Sequence, residues 1–94
     1  GSIDKVTSEE INEKVLPVIE KEDTNIIIDL RNVDFLSSEG MMYFAKYLVL
    51  LTDKKRLLMF VKPSKTVYDT MAKMGFEKRF RIYDNIETAI SKLR

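Results

Sequence analysis

Two uninterrupted runs of apolar residues constrain the fold of this chain more than any other feature. The first lies within Asn25–Leu30, where three isoleucines follow one another, and the second is Leu57–Val61. Runs that are apolar at every position, rather than at alternate positions, are typical of strands covered on both faces, as in parallel sheets. A weaker third strand is predicted at Arg81–Tyr83. The sequence therefore predicts a buried parallel sheet of at least three strands.

Four helical segments separate or flank these strands. Residues that commonly cap helices mark the predicted starts, which are Thr7, Ser37 or Ser38, Ser64 and Asp84. The first and the last start have a glutamate three residues on, which is the spacing of a capping box. The second helix is predicted to run from Ser38 to Thr52, and the third to stop at Gly75. Pro17 lies inside the first helical pattern and predicts a kink there or a later helix start.

Strands that alternate with helices predict an α/β fold with a mainly parallel sheet and four flanking helices. With 94 residues, the chain is expected to form one domain, residues 1–94. The spacing of apolar residues also predicts the core. The residues expected there are Ile26, Ile28, Leu30, Leu58, Phe60, Met71, Ile86 and Ile90.

Composition excludes several classes of function. The chain has no Cys and no His, which excludes disulfides, thiolate metal sites, a cysteine nucleophile and any histidine base. Its net charge of +1 favours neither nucleic acid nor a membrane surface as partner. The absence of a secretory signal or a long apolar segment predicts a cytoplasmic protein without membrane insertion. We therefore expect a binding or regulatory module that is not an enzyme and uses no cofactor or metal.

The turn before the second helix is the most informative segment. Ser37 or Ser38 can cap the helix, and Glu39 in its first turn suits the helix dipole. These roles need no function beyond folding. The helix that follows, however, is apolar nearly all round, with Lys46 the single charged residue between Gly40 and Thr52. Such a helix is either central to a core or presents a surface to a partner.

At this point the chain resembles a family, the STAS domains of bacterial anti-sigma factor antagonists. Four pieces carry the resemblance, and their order and spacing cover almost the whole chain. They are Gly1–Asp4 with the helix from Thr7 to Leu16, the strand Ile26–Leu30 with Val33, the turn Phe35–Gly40, and Met74–Phe76 with Phe80 and the stretch Asp84–Ala89.

The resemblance implies a site as well as a fold. In the family, a serine at the start of the second helix is phosphorylated by a cognate anti-sigma factor that is a serine kinase. Matching the motif position by position places that serine at Ser38 and its final glycine at Gly40. The partner-binding residues implied are Asp4, Ser37, Ser38, Glu39, Gly40, Met41, Met42 and Tyr43, on the turn and the outer face of the second helix.

Two departures from the family motif keep a second function open. Ser37 stands where the family has Asp, and Glu39 stands where it has Ser or Thr. A negative charge beside the acceptor repels an incoming phosphate. The alternative is a STAS-like accessory subunit of an ABC-type membrane transporter, docking through the same helix without phosphorylation. A third idea, a metal site formed by Asp29, Asp34 and Glu39, is much weaker, because single surface acids are common.

The N-terminus is a further departure. STAS domains usually carry one or two strands ahead of the Gly-x-Ile-Asp box at which this chain begins. Two explanations stay open: a shortened version of the domain, or Gly1 and Ser2 as residues left from expression. A shortened version would leave a strand edge uncovered. That arrangement favours a homodimer or a partner that completes the fold.

Overall fold

A computed structural model describes residues 1–75 and 78–93 of the chain. Within them lie five strands and four α-helices. In chain order the elements are β1 (Ser2–Ile3), α1 (Lys5–Lys21), β2 (Ile26–Asp29), β3 (Phe35–Leu36), α2 (Ser38–Asp53), β4 (Leu58–Val61), α3 (Lys65–Lys73), β5 (Arg81–Tyr83) and α4 (Ile86–Ser91). A helix follows every strand except β2, which is followed by β3. None of the helices in the described ranges has the length and the apolar content of a membrane-spanning segment.

Every strand pair in the described residues is parallel. One sheet has the order β2–β4–β5, with Ile28 opposite Phe60 and Phe60 opposite Ile82. The second is the short pair β1–β3, in which Ser2 lies opposite Phe35 and Ile3 opposite Leu36. The predicted α/β class, the parallel sheet and the four helices are confirmed. The sequence does not predict the two-residue strands β1 and β3, because they are too short to show a hydrophobic period.

The central strand β4 is buried on both faces, as its unbroken apolar sequence predicts. Leu58 and Phe60 point into the larger core, where the Phe60 ring centroid lies 4.9 Å from that of Phe44 and 4.8 Å from that of Phe80. Met59 and Val61 point to the other face and pack with Ala89 of α4. Because neighbouring residues of a strand face opposite sides, a strand covered on both sides needs apolar side chains throughout.

The prediction of the core is right at the centre and wrong at α4. Leu30, Leu58, Phe60 and Met71 are buried, whereas Ile86 and Ile90 are exposed. The helix α4 has only six residues and contributes Ala89 to the core, so its isoleucines lie beyond the edge of the packed surface.

Ile26 and Ile28, also predicted as core, are only partly buried. Both lie on β2, which is an edge strand of the described sheet. An apolar cleft of about 540 Å³ runs beside this edge. The isoleucines pack against the larger core from one side and face the cleft from the other.

Two predicted helix starts are corrected by the capping contacts. The first helix is capped by Asp4 rather than Thr7: Asp4 accepts a hydrogen bond from the Thr7 N–H at 2.9 Å, and the Thr7 hydroxyl accepts one from the Asp4 N–H at 2.8 Å. The last helix is capped by Asn85 rather than Asp84, through the Thr88 N–H at 2.8 Å. In both cases the cap is the residue whose side chain reaches the N–H three positions on.

The other boundaries are closer to prediction. Helix α2 begins at Ser38 as expected, and Ser64 caps α3, which is followed by Gly75 at a φ of 74°. Helix α1 contains Pro17 and begins earlier, not later, than the capping pattern indicated. Buried Ile19 lies beyond the proline, so packing against the core keeps this end helical. Phe76, part of the resemblance, falls outside the described residues.

Candidate partner-binding site at the start of α2

The register of β1 and β3 brings the starts of α1 and α2 together. Ile3 lies opposite Leu36 in this parallel pair. Asp4 and Ser37, which directly follow β1 and β3, therefore lie at the same end of the pair. The ladder continues into the turn, because the Ser37 N–H donates to the Ile3 carbonyl at 2.8 Å. Two residues far apart in sequence, Asp4 and Ser37, are thus neighbours because two short strands pair.

Ser37 caps α2 and is fixed in that role. Its hydroxyl oxygen accepts a hydrogen bond from the Gly40 N–H at 3.1 Å, and its carbonyl accepts one from the Met41 N–H at 3.0 Å. The residue is only 9% exposed. The choice of cap that the sequence left open is therefore resolved in favour of Ser37.

Ser38 is the first residue of α2 and is exposed. Its side chain makes no hydrogen bond to any residue in the described part of the chain. Within the first turn, the N–H groups of Gly40 and Met41 are satisfied by Ser37. The N–H groups of Ser38 and Glu39 are left without helical acceptors, as at any helix start. Ser38 therefore combines a free hydroxyl with neighbouring donors that favour an anion.

Gly40 is required by close packing between α2 and the β1–β3 pair. A Cβ atom at this position would lie 2.7 Å from Cγ2 of Ile3 and 2.8 Å from Cδ1 of Leu36. Both distances are shorter than real carbon contacts, and both neighbours are buried. Gly40 therefore allows the start of α2 to pack directly against β1 and β3. This packing determines how far Ser38 and Glu39 extend from the surface.

Asp4 lies beside this turn but its carboxylate is already engaged. Hydrogen bonds from the backbone and side chain of Thr7 hold the pKa of Asp4 below its usual value. The group is therefore charged at neutral pH, and it adds a negative charge next to the start of α2. Glu39, exposed in the first turn of α2, adds a second.

A shallow cleft continues the site along the groove between α1 and α2. It has a volume of about 420 Å³ and is lined by Lys5 and Glu9 of α1 and by Glu39, Met42, Tyr43 and Lys46 of α2. Met42 is 68% exposed. Lys5, Glu9 and Lys46 are not among the residues that the sequence predicts for this site. Their contribution depends on how α1 packs on α2, which no local sequence pattern shows.

The structure divides the predicted partner-binding residues into exposed and buried sets. Ser38, Glu39 and Met42 are exposed and Tyr43 is partly so. The prediction that Met41 lies on the outer surface is wrong, because Met41 is 0% exposed and belongs to the core with Phe44. Gly40 and Ser37 are also buried and shape the turn from within.

Asp29, Asp34 and Glu39, the three acids proposed as a weak candidate for a metal site, do not form such a site. Asp29 pairs with Arg31, with 2.9 Å between the carboxylate oxygen and Nε, and Asp34 lies 3.3 Å from the N-terminal ammonium. Among residues 1–75 and 78–93, no group of three acidic, His or Cys side chains is placed to hold a metal ion.

Comparison with known proteins identifies the family. Residues 1–89 match the STAS domain, and the chain belongs to that family. The fold also matches the crystal structure of a putative anti-sigma factor antagonist from Thermotoga maritima, with a TM-score of 0.92. The match covers 97% of this chain and 79% of that one at 16% sequence identity, so it concerns the fold. No curated protein matches the chain in sequence. Folds of this kind are typically those of non-enzymatic regulatory modules.

Proposed function

We propose that this STAS domain is a regulatory protein-binding module of the anti-sigma factor antagonist type. In this proposal, the start of α2 docks on an anti-sigma factor that is a serine kinase, and phosphorylation of Ser38 switches docking off. The observation that carries the proposal is the exposed, unengaged hydroxyl of Ser38 on a turn that Ser37 and Gly40 hold in place. The module is then a kinase substrate and not a catalyst.

The contrast between the two serines supports Ser38 as the acceptor. A kinase must draw the hydroxyl into its own active site, so the acceptor needs to be accessible. Ser38 is exposed, whereas Ser37 is nearly buried and its hydroxyl holds the Gly40 N–H. Moving Ser37 into a kinase would cost the helix its cap, which is typically worth about 1 kcal/mol.

A phosphate on Ser38 would change the surface more than the fold. It adds a charge of about −1.5 to −2 at neutral pH. The free N–H groups of Ser38 and Glu39 would accommodate it locally. The surface, however, already carries Asp4 and Glu39. Burying the added charge against an apolar or acidic partner is costly unless it is paired. Docking should therefore fail while the domain stays folded.

The cleft beside the turn supports a protein partner. Met42 and Tyr43 offer apolar contact area, and two lysines and two glutamates surround them. Methionine and tyrosine are frequent at adaptable interfaces, and a mixed-charge rim favours a defined orientation. A partner that fits would place an apolar side chain on Met42 and complementary charges on either side.

Glu39 favours a second candidate, an accessory subunit of an ABC-type transporter that docks without phosphorylation. Its carboxylate is exposed beside the Ser38 hydroxyl, so the surface is negative before any modification. A permanently charged turn can hold a basic partner without a switch. The two candidates differ in one observable, whether phosphate is ever found on Ser38.

A kinase assay tests the first candidate. The full chain is incubated with ATP and the anti-sigma factor kinase of the source organism, and its intact mass is measured. Wild type and Ser64→Ala are expected to gain one phosphate, and Ser38→Ala none. Ser64 is the matched control because it is an exposed serine at the start of another helix. Full modification of Ser38→Ala would overturn the assignment of the acceptor.

A binding assay tests the docking surface with a pair of matched truncations. Met42→Ala removes the exposed side chain beside Ser38, and Val49→Ala removes another exposed apolar side chain further along α2. The first is expected to weaken binding to the anti-sigma factor by about tenfold or more, as for a central interface residue. The second should change it less than about twofold. Equal effects would place the interface elsewhere.

A further inference from the structure

A second concave surface lies at the other end of α2 from Ser38. It is a pocket of about 370 Å³ that includes Thr52, in the last turn of the helix. The sixteen residues of α2 make it about 24 Å long, so the pocket is remote from the phosphorylation turn. Its floor contains Leu48, Leu57 and Leu58. We refer to it as the basic pocket because of the side chains that surround this floor.

Among the described residues, the charged side chains of the basic pocket have one sign. Lys55, Arg56, Arg79 and Arg81 line it, and no acidic residue of the ranges 1–75 and 78–93 does. The chain as a whole carries 16 basic and 15 acidic residues, so this concentration does not follow from an overall excess of cations. Two parts of the chain contribute these basic residues: positions 55 and 56, after α2, and positions 79 and 81, at the start of β5.

Of the four cations, only Arg56 forms an ion pair with an acidic residue in the described part of the chain. Arg56 makes two hydrogen bonds to Asp23, at 2.6 Å from Nε to Oδ1 and 2.5 Å from Nη2 to Oδ2. Lys55, Arg79 and Arg81 form no ion pair or side-chain hydrogen bond with residues 1–75 or 78–93. Grouped like charges repel one another, which destabilises the fold by a small amount that a bound anion would relieve.

Helix electrostatics account for part of this arrangement. Lys55 follows the C-terminus of α2, where a cation is favoured by the helix dipole. Arg79 and Arg81 do not share that explanation, because Arg81 begins β5 and Arg79 lies well beyond the end of α3. Two arginines brought from another part of the chain to the same concave surface point to a ligand.

We propose that the basic pocket binds an oligophosphate group. The planar fork of arginine matches phosphate oxygens with two parallel hydrogen bonds, and lysine adds a point charge. An oligophosphate places several negative charges within a small volume. It therefore suits Lys55, Arg79 and Arg81, three cations around one pocket that have no ion-pair partner in the described part of the chain. The volume is also that of a small-molecule site, whereas an acidic peptide spreads its charges along a chain. The leucine floor can accept a ring attached to the phosphates.

Titration calorimetry of the full chain with sodium tripolyphosphate, at about 0.15 M salt, tests the site. Saturable binding with one ligand per chain is expected. The double variant Arg79→Gln/Arg81→Gln should raise Kd by at least about tenfold. The matched control, Lys21→Gln/Lys92→Gln, removes the same charge from exposed positions outside the pocket and should change Kd less than about twofold. Thermal melting confirms that both variants are folded.

Three further measurements distinguish the details. Arg79→Lys/Arg81→Lys keeps the charge but loses the fork geometry, so its Kd should lie between wild type and the glutamine variant. If ATP binds more tightly than tripolyphosphate, the leucine floor contributes to binding. If the two bind equally, the site recognises the phosphates alone. Three results would each overturn the proposal. They are the absence of saturable binding, an equal rise in Kd for Lys21→Gln/Lys92→Gln and Arg79→Gln/Arg81→Gln, and a hexaglutamate peptide that binds more tightly than tripolyphosphate.

Discussion

Replacing Gly40 by Ala sets two known effects against each other at the candidate site. In a helix, alanine is favoured over glycine by about 1 kcal/mol, so propensity alone predicts stabilisation. The added methyl group, however, would lie 2.7 Å from Cγ2 of Ile3 and 2.8 Å from Cδ1 of Leu36. Neither neighbour can retreat into solvent, because both are buried in the core. We therefore expect packing to win.

The magnitude follows from these contacts. Inserting a methyl group into a packed core costs typically 1–3 kcal/mol. Two contacts below 3.0 Å place Gly40→Ala in the upper part of that range. After the gain in helix propensity, a net loss of about 1–2 kcal/mol in the free energy of unfolding is expected. For a domain of this size, each kcal/mol lowers Tm by about 4–8 °C.

Urea denaturation followed by circular dichroism measures this loss, and a double-mutant cycle identifies its cause. Ile3→Ala removes Cγ2 and leaves a cavity, so alone it should cost about 2–5 kcal/mol. In the double variant, the Gly40→Ala methyl group would occupy part of that space. The double variant should thus lose at least about 0.5 kcal/mol less than the sum of the single variants. Strict additivity, or a Gly40→Ala protein more stable than wild type, would refute the close approach of α2 to β1.

Three other perturbations have expected outcomes. Ser37→Ala should lower the free energy of unfolding by about 1 kcal/mol through loss of the α2 cap, measured by urea denaturation, while Ser38 is still phosphorylated. Burial, assisted by the neighbouring phenol of Tyr43, raises the pKa of Tyr47 to about 12, whereas an unfolded tyrosine ionises near pH ~10. The unfolded state then binds fewer protons in this interval, so wild-type stability should fall from about pH 10 to about pH 12, and Tyr47→Phe should lack that part of the fall. Phe60→Ala should cost about 3–5 kcal/mol, and Ile28→Ala, at the partly buried edge, clearly less; equal losses would contradict the assignment of β4 as the central strand.

The sequence was sufficient for the parts of the fold that a local signal specifies. The unbroken apolar run at Leu58–Val61 specifies a strand covered on both sides, and that strand is the buried centre of the sheet. The start of α2 could also be predicted, because a serine cap acts locally. The positions of Ile86 and Ile90 could not, since exposure there depends on how short α4 is and where it ends on the sheet.

The candidate site shows the same division between local and long-range causes. Ser38 and Glu39 follow from the turn sequence and are exposed. Met41 looked equally suited to the surface, but the core extends beneath the first turn of α2 and buries it. Lys5, Glu9 and Lys46 join the site through the packing of α1 on α2. Asp4 was named through the resemblance alone, and the pairing of Ile3 with Leu36 supplies the physical reason for its position.

The phosphorylation state of Ser38 in the protein isolated from its native cell is the most direct test of the proposed switch. Intact mass and fragment mapping would be measured on wild type and on Ser38→Ala expressed at the same level. We expect one phosphate on Ser38 in part of the wild-type population, no phosphate on Ser38→Ala, and the anti-sigma factor bound only to the unmodified form. Phosphate on another residue, or an anti-sigma factor that binds both forms equally, would contradict the proposed switch.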